Sequence, residues 1–134
     1  MYLHKLEKDE KTTFLAFAEH LAEIDDQSVD ARERYLIRYM CSEMGLDPDE
    51  ALEAKPAYDR DRLLKVFHRP EARRVLVLEG VGIAFSNGAM DEEQRKELTS
   101  LAEAFQLCEK FVAKAEAVVQ KQLEVMKEFD ELIG

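Results

Sequence analysis

Residues 15–46, LAFAEHLAEIDDQSVDARERYLIRYMCSEMGL, lie without a gap over residues 76–107, LVLEGVGIAFSNGAMDEEQRKELTSLAEAFQL, sixty-one positions later. Only Leu15/Leu76, Asp30/Asp91, Arg34/Arg95 and Leu46/Leu107 are identical, so the alignment rests on shared character at helical spacing. Phe14, Phe17, Ala18, Leu21 and Ile24 follow the i, i+3, i+4, i+7 rule of a one-faced helix. Val75, Leu78, Glu79, Gly82 and Phe85 hold the same places in the second copy. After a polar loop, Ile37, Met40, Cys41 and Met44 match Leu98, Leu101, Ala102 and Phe105. The pattern is two copies of a helix-loop-helix unit, 14–46 and 75–107, and it predicts an all-α fold.

Working outward, 134 residues with 46% hydrophobic content suit one core and therefore a single domain, 1–134. Acid-capped starts mark the helices. Asp30, Asp47 and Asp91 each stand three residues before a Glu or Gln, in Glu33, Glu50 and Gln94, so both side chains can satisfy first-turn amides. Pro48 and Pro70 fall at first helical positions, where a missing N–H costs nothing. Met44-Gly45-Leu46 reads as a helix stop, with glycine in the left-handed conformation and an apolar residue folding back. These signals predict a short helix near Tyr2 to Lys8 and seven more: Lys11 to Asp25, Ala31 to Met44, Pro48 to Ala54, Asp59 to His68, Pro70 to Phe85, Asp91 to Phe105 and Glu109 to Leu132.

The helix through Val75 to Phe85 is apolar nearly all round and reads as the central element. Gly80 and Gly82 remove side chains there, which predicts close approach of a neighbouring helix at both. Glu79 lies at an inward place and needs a cation or hydrogen bonds; Arg73, Arg74 or Arg95 is the expected partner, with a functional acid or an outward-facing side chain as alternatives. Cys41 and Cys108, without CxxC spacing, read as buried free thiols. The last helix carries a wide apolar stripe; core packing is the first expectation, and a projecting end that forms a homodimer or a docking helix the second, with Gln122 interrupting a strict heptad and weakening the coiled-coil version.

Charge narrows the function classes. A net charge of −10 disfavours nucleic acid, which needs a basic surface. Residues 55–74 run against that balance, with seven basic residues and three acidic ones, and read as internal charge compensation. No apolar run of about eighteen residues is present and no signal-peptide stretch follows Met1 to Lys5, so the expectation is a cytoplasmic protein without membrane insertion. No Ser, His or second acid completes a catalytic set with Glu79 or His20, and no enzyme activity is expected. His20 reads as a surface or core-edge residue, and zinc through His and Cys has no matching spacing.

The two loops carry a resemblance. Asp26, Val29, Asp30 and Glu33, with Gln27 where glycine is usual, and Asn87, Gly88, Met90, Asp91 and Gln94 in the second copy, resemble the tellurite-resistance TerB-like family over roughly Phe14 to Leu107. The resemblance implies about seven helices in pseudo-twofold halves, a role in bacterial tellurite and general stress resistance, work alongside membrane partners, and divalent metal held by acidic loop residues. It implies no enzyme activity. In the second loop Asn87 and Gln94 are neutral, so any calcium or magnesium would fall to the first loop, through Asp26, Asp30 and Glu33. His20, Glu23 and Asp25 are near that loop in sequence, yet its spacing is not that of an EF-hand. Capping explains the same residues without a metal, since Gln94 and Asn87 can make those hydrogen bonds uncharged. Two functional expectations follow: a non-catalytic module that binds a protein partner, and a divalent-metal-binding or sensing domain.

Overall fold

Asp47, Asp59 and Asp91 begin three helices in the computed structural model, which describes residues 1–26, 31–86 and 88–134 together with the side chains of all of these except Asp25 and Asp26. Asp91 accepts from the Glu93 amide at 2.9 Å while Gln94 Oε1 accepts from the Asp91 amide at 3.2 Å, a complete capping box. Asp47 accepts from the Glu50 amide, and Asp59 from those of Asp61 and Arg62. The cap expected from Asp30 lies outside the described residues.

A single-turn 3-10 helix, Leu3–Lys5, is followed by α1 (Lys8–Asp26), α2 (Ala31–Glu43), α3 (Pro48–Ala54), α4 (Arg60–Val66), α5 (Pro70–Ala84), α6 (Glu92–Ala104) and α7 (Phe111–Ile133). Among the described residues there is no strand, and the fold is an all-α bundle of seven helices. The repeat is legible in the element boundaries, since α2 shifted by sixty-one positions coincides with α6 at both ends. Helices α1 and α5 pack on one another at the centre; α6 lies against both, α2 and α4 against α1, and α7 against α5 and α6. Phe14, Phe17, Leu21, Leu76, Val81, Leu98 and Leu101 are buried where these faces meet. Each contributes about 1.5–3 kcal/mol of gross burial energy.

Helix α5 is the most enclosed element, as its sequence predicts. A Cβ on Gly80 would lie 2.6 Å from Leu98 Cδ2 and 3.2 Å from Phe17 Cε2, so the missing side chain lets α1 and α6 close on α5. Gly82 departs from expectation: a Cβ there meets nothing within 4 Å, because Gly82 faces an open cleft and no helix. Arg69, at the start of α5, clamps the other end, donating to Glu10 Oε2 at 3.1 Å and to Oε1 through its second nitrogen. Glu10, 2% exposed, also accepts from the Glu7 amide, so it closes the first turn of α1 while pairing with α5.

The basic segment is largely consumed within the fold. Lys55 pairs with Glu19, Arg60 with Glu97 and Arg69 with Glu10, while Arg73 donates to the Phe67 carbonyl and lies over the Phe105 ring. Of the two cysteines, Cys41 is buried and Cys108 is exposed. The second is a correction, since α6 stops at Ala104 and α7 starts at Phe111, leaving Cys108 in the connecting turn.

Both copies of the repeat end their second helix in the same hydrogen-bonded stop. Leu46 N–H donates to Cys41 O and Gly45 N–H to Ser42 O; sixty-one positions on, Leu107 N–H donates to Ala102 O and Gln106 N–H to Glu103 O. The left-handed residue is Gly45 (φ +75°) in the first and Gln106 (φ +59°) in the second, where a side chain bears the cost of that conformation. Gly45→Ala is therefore expected to lose about 1 kcal/mol and Gln106→Gly to gain up to about 1 kcal/mol in urea denaturation. A Gly45→Ala chain as stable as wild type, or a destabilising Gln106→Gly, would show that the two stops are not equivalent.

Candidate functional site

Glu79 lies one turn before the open stretch of α5 and is 8% exposed. Its partner is the chain's own amino-terminal segment, not Arg73, Arg74 or Arg95. Oε1 accepts from the Tyr2 amide at 2.8 Å and from the Met1 ammonium at 3.0 Å. Glu43, at the end of α2, meets the same ammonium at 2.5 Å. Arg95 turns instead to Glu116 and Glu92, and Arg73 to the Phe67 carbonyl. The correction has a simple physical origin: Met1 and Tyr2 bring a cation and an N–H directly over the carboxylate, satisfying the requirement that burial imposes.

The ammonium responds to its site. Partial burial opposes its charge, but the hydrogen bonds to Glu43 and Glu79 and the negative charge of both carboxylates outweigh this and hold its pKa above the ordinary value. Acids from the two halves of the repeat, α2 and α5, thus converge on one cation and fasten the amino-terminal segment across the bundle.

Around this clamp the surface is concave and apolar. A cleft of about 830 Å³ runs between α2 and α7 over the end of α5, bounded by Tyr35, Tyr39, Gly82, Phe85, Val119, Leu123 and Met126. A second hollow of about 640 Å³ lies on the other flank of α7, between Tyr2, Leu78, Gly82, Val118 and Val125. Glu43 Oε2 and Ser86 Oγ are buried on the wall of the first and have no hydrogen-bond partner among the described residues. Gly82 borders both hollows.

Helix α7 supplies the outer wall of both. Its first half packs as expected, with Val112, Ala115 and Val119 buried, and Arg95 paired to Glu116 ties it to α6. Every residue from Gln120 onward is exposed, including Val125, Met126, Phe129, Leu132 and Ile133. Core packing therefore accounts for only half of the helix.

Asp30 and the Asp26 side chain lie outside the described residues, and Glu33 is buried in the first turn of α2. Its counterpart Gln94, equally buried, accepts from the Asp91 amide and donates from Nε2 to the Leu21 carbonyl at 3.1 Å, a second bond that no ionised carboxylate could make. The neutral residue of the second copy is thus suited to joining α6 to α1. Among the described residues no group of three or more His, Cys, Asp or Glu is placed to hold a metal ion.

A polar cluster joins α1, α4 and α6. His20 stacks on Tyr58 with ring centroids 4.0 Å apart, Tyr58 donates to Glu97 at 3.1 Å, and Arg60 donates to Ser100 at 2.8 Å. Burial, and then the charge and hydrogen bond of Glu97, push the Tyr58 hydroxyl pKa far up, so Tyr58 remains a donor. His20 is a core-edge residue that covers Tyr58, and none of the cavities described above opens onto it.

Comparison with known families, curated proteins and solved structures finds no match. Among the described residues, no helix is long and apolar enough to cross a membrane.

The amino-terminal clamp predicts a pH dependence. Because the folded pKa is raised, its contribution to stability is fully present below the unfolded value of about pH 8 and is lost as pH rises through the folded value. Denaturation at pH 7 and pH 10 should show a larger loss for the chain with a free Met1 amine than for the same chain acetylated on that amine. Parallel losses in the two would remove the clamp.

Proposed function

We propose that this chain is a non-catalytic helical interaction module of the TerB-like, stress-response kind, which docks a protein partner on the apolar surface formed by α2, α7 and the Met1–Tyr2 segment. One observation carries the reading. Among the described residues, the large apolar side chains left exposed are Met1, Tyr2, Tyr35, Tyr39 and those of α7 from Val118 to Ile133, all bordering the two hollows or continuing from them. Single exposed apolar residues are ordinary, whereas a contiguous set beside a concave surface marks an interface. Tyrosine and methionine suit that role, combining large contact area with a polar handle or an adaptable chain. The buried acceptor of Glu43 and hydroxyl of Ser86 offer polar anchors within the apolar cleft.

The resemblance of the loops supports the same family of roles, and the all-helical fold agrees with what that resemblance implies. Tyr39→Glu and Met126→Glu alter exposed positions and should leave folding intact while abolishing recovery of any protein that wild type retains from cell extract, read by quantitative mass spectrometry with both chains at equal loading. Identical recovery by wild type and variants would remove this surface from partner binding.

The cation reading draws on the acidic composition of the first loop and on the resemblance. Calorimetric titration with calcium and with magnesium is its test: binding heat in wild type that disappears in Asp26→Asn/Glu33→Gln supports it, and equal traces for the two chains remove it.

A further inference from the structure

Helix α7 has two flanks of different chemistry. Val118, Val125 and Leu132 recur every seven residues, and Val119, Met126 and Ile133 form the adjacent column. Phe129 lies between the two columns. A strict seven-residue repeat is the signature of a helix that pairs with another helix along a left-handed seam. The first turns of that seam, at Val112, Ala115 and Val119, are closed by α5 and α6. Beyond them it has no cover, with Val118 60%, Val125 46%, Met126 53%, Phe129 57%, Leu132 84% and Ile133 87% exposed. Six large apolar side chains are thus left open along these turns, a contiguous set and not the scattered single residues of an ordinary surface.

Charge selects the occupant and its direction. Lys121 and Glu128 are seven residues apart and so lie on the same flank, beside Val125. A second α7 running antiparallel, with its twofold axis near Val125, sets Lys121 of each copy against Glu128 of the other, twice over by symmetry. The same register stacks Val125 on Val125, sets Leu132 against Val118 and brings Phe129 opposite Lys121 and Gln122. A parallel pair, related by a twofold along the helices, would put the two flanks on opposite sides of the seam and leave Lys121 and Glu128 without this pairing. The antiparallel register also carries Leu132 and Phe129 of the second copy back along α7 to Val118 and Lys121, which border the 640 Å³ hollow beside Tyr2 and Leu78. The hollow and the uncovered half of α7 then complete one another across the axis.

We infer that the chain forms an antiparallel twofold dimer through α7, in which each copy seats Phe129 and Leu132 in the hollow of the other. This rests on the interaction reading above for the choice of surface and names the partner as a second copy of this chain. The hollow is a recipient site that one copy alone leaves unfilled, and the uncovered turns of α7 are its ligand.

Sedimentation velocity and light scattering on the purified chain are expected to give twice the 15.5 kDa monomer mass. Lys121→Glu should weaken the dimer at least tenfold, and adding Glu128→Lys should restore it. In a Cys108→Ser background, which leaves only the buried Cys41, Val125→Cys should oxidise to a covalent dimer and Lys127→Cys, on the opposite side of α7, should not. Circular dichroism confirms folding of each variant at these exposed positions. A monomer at all concentrations up to the millimolar range overturns the inference, as does a dimer that Lys121→Glu alone leaves unchanged, that the added Glu128→Lys fails to restore, or that cross-links through position 127 in preference to 125. If the chain is monomeric while capture of a different protein still depends on Tyr39 and Met126, the dimer fails and the interaction reading stands.

Discussion

Three helices close on one missing side chain. Gly80 carries no Cβ, and the space is taken by Leu98 from α6 and Phe17 from α1, both without solvent exposure. A helix interior pays about 1 kcal/mol for glycine, and here the return is contact among the first helix of each repeat and the second helix of the later copy. Neither Leu98 nor Phe17 has room to swing aside, since both are packed on every side. The α1–α5–α6 junction therefore fixes the separation of the two halves, and the elements placed on it, α2, α4 and α7, inherit their positions.

Fixing that junction determines where Glu79 goes. It precedes Gly80 in the chain, and the same enclosure that buries Val77 and Val81 places its carboxylate 8% exposed beneath the amino-terminal segment. A carboxylate so placed must be compensated, and the nearest compensation is an amide and an ammonium from Met1 and Tyr2. Glu43 adds a second acid to the same ammonium, so the amino-terminal segment is held by α2 and α5 together. The hollows on either side of α7 begin at this clamp, which makes the shape of the surface a consequence of burying one acid.

The sequence reveals what is local or periodic. Seven helices, the caps at Asp47 and Asp91, the stop at Gly45 and the inward faces of α1, α2, α5 and α6 all follow from spacing and capping chemistry, because those are settled within a few residues, whereas the cap at Asp59 came only with the structure. The partner of Glu79 was hidden because it lies 77 positions away and uses a backbone N–H and an amino terminus, which no residue-type pattern encodes. Gly80 and Gly82 look alike in the sequence, two positions apart on one helix, and face opposite surroundings: one is a contact and the other borders empty space. Gln106 carried no signal of its own. Only its register with Gly45 marks it as a left-handed position, so the repeat locates a turn that local propensity would miss. The acidic loop was legible as composition, while the second role of Gln94 was not: in the second copy the residue caps its own helix and also reaches the Leu21 carbonyl.

The repeat also explains why the exposed apolar surface belongs to α7. Shifted by sixty-one positions, α3 falls on residues 109–115, the start of α7. After α3 the first copy breaks at Lys55 and Pro56 and turns into α4, which packs back on α1 and buries Leu63. The second copy meets no proline there, and its helix continues to Ile133. The bundle that the first copy covers with α4 is thus left, in the second, with a straight helix running past its edge. Apolar residues at seven-residue spacing along that overrun stay exposed beyond Val119, and they cost solubility if left bare. A helix that keeps such a seam after leaving its own core has the pattern of one shaped for a surface outside it, and the place where the two copies diverge is where binding is expected.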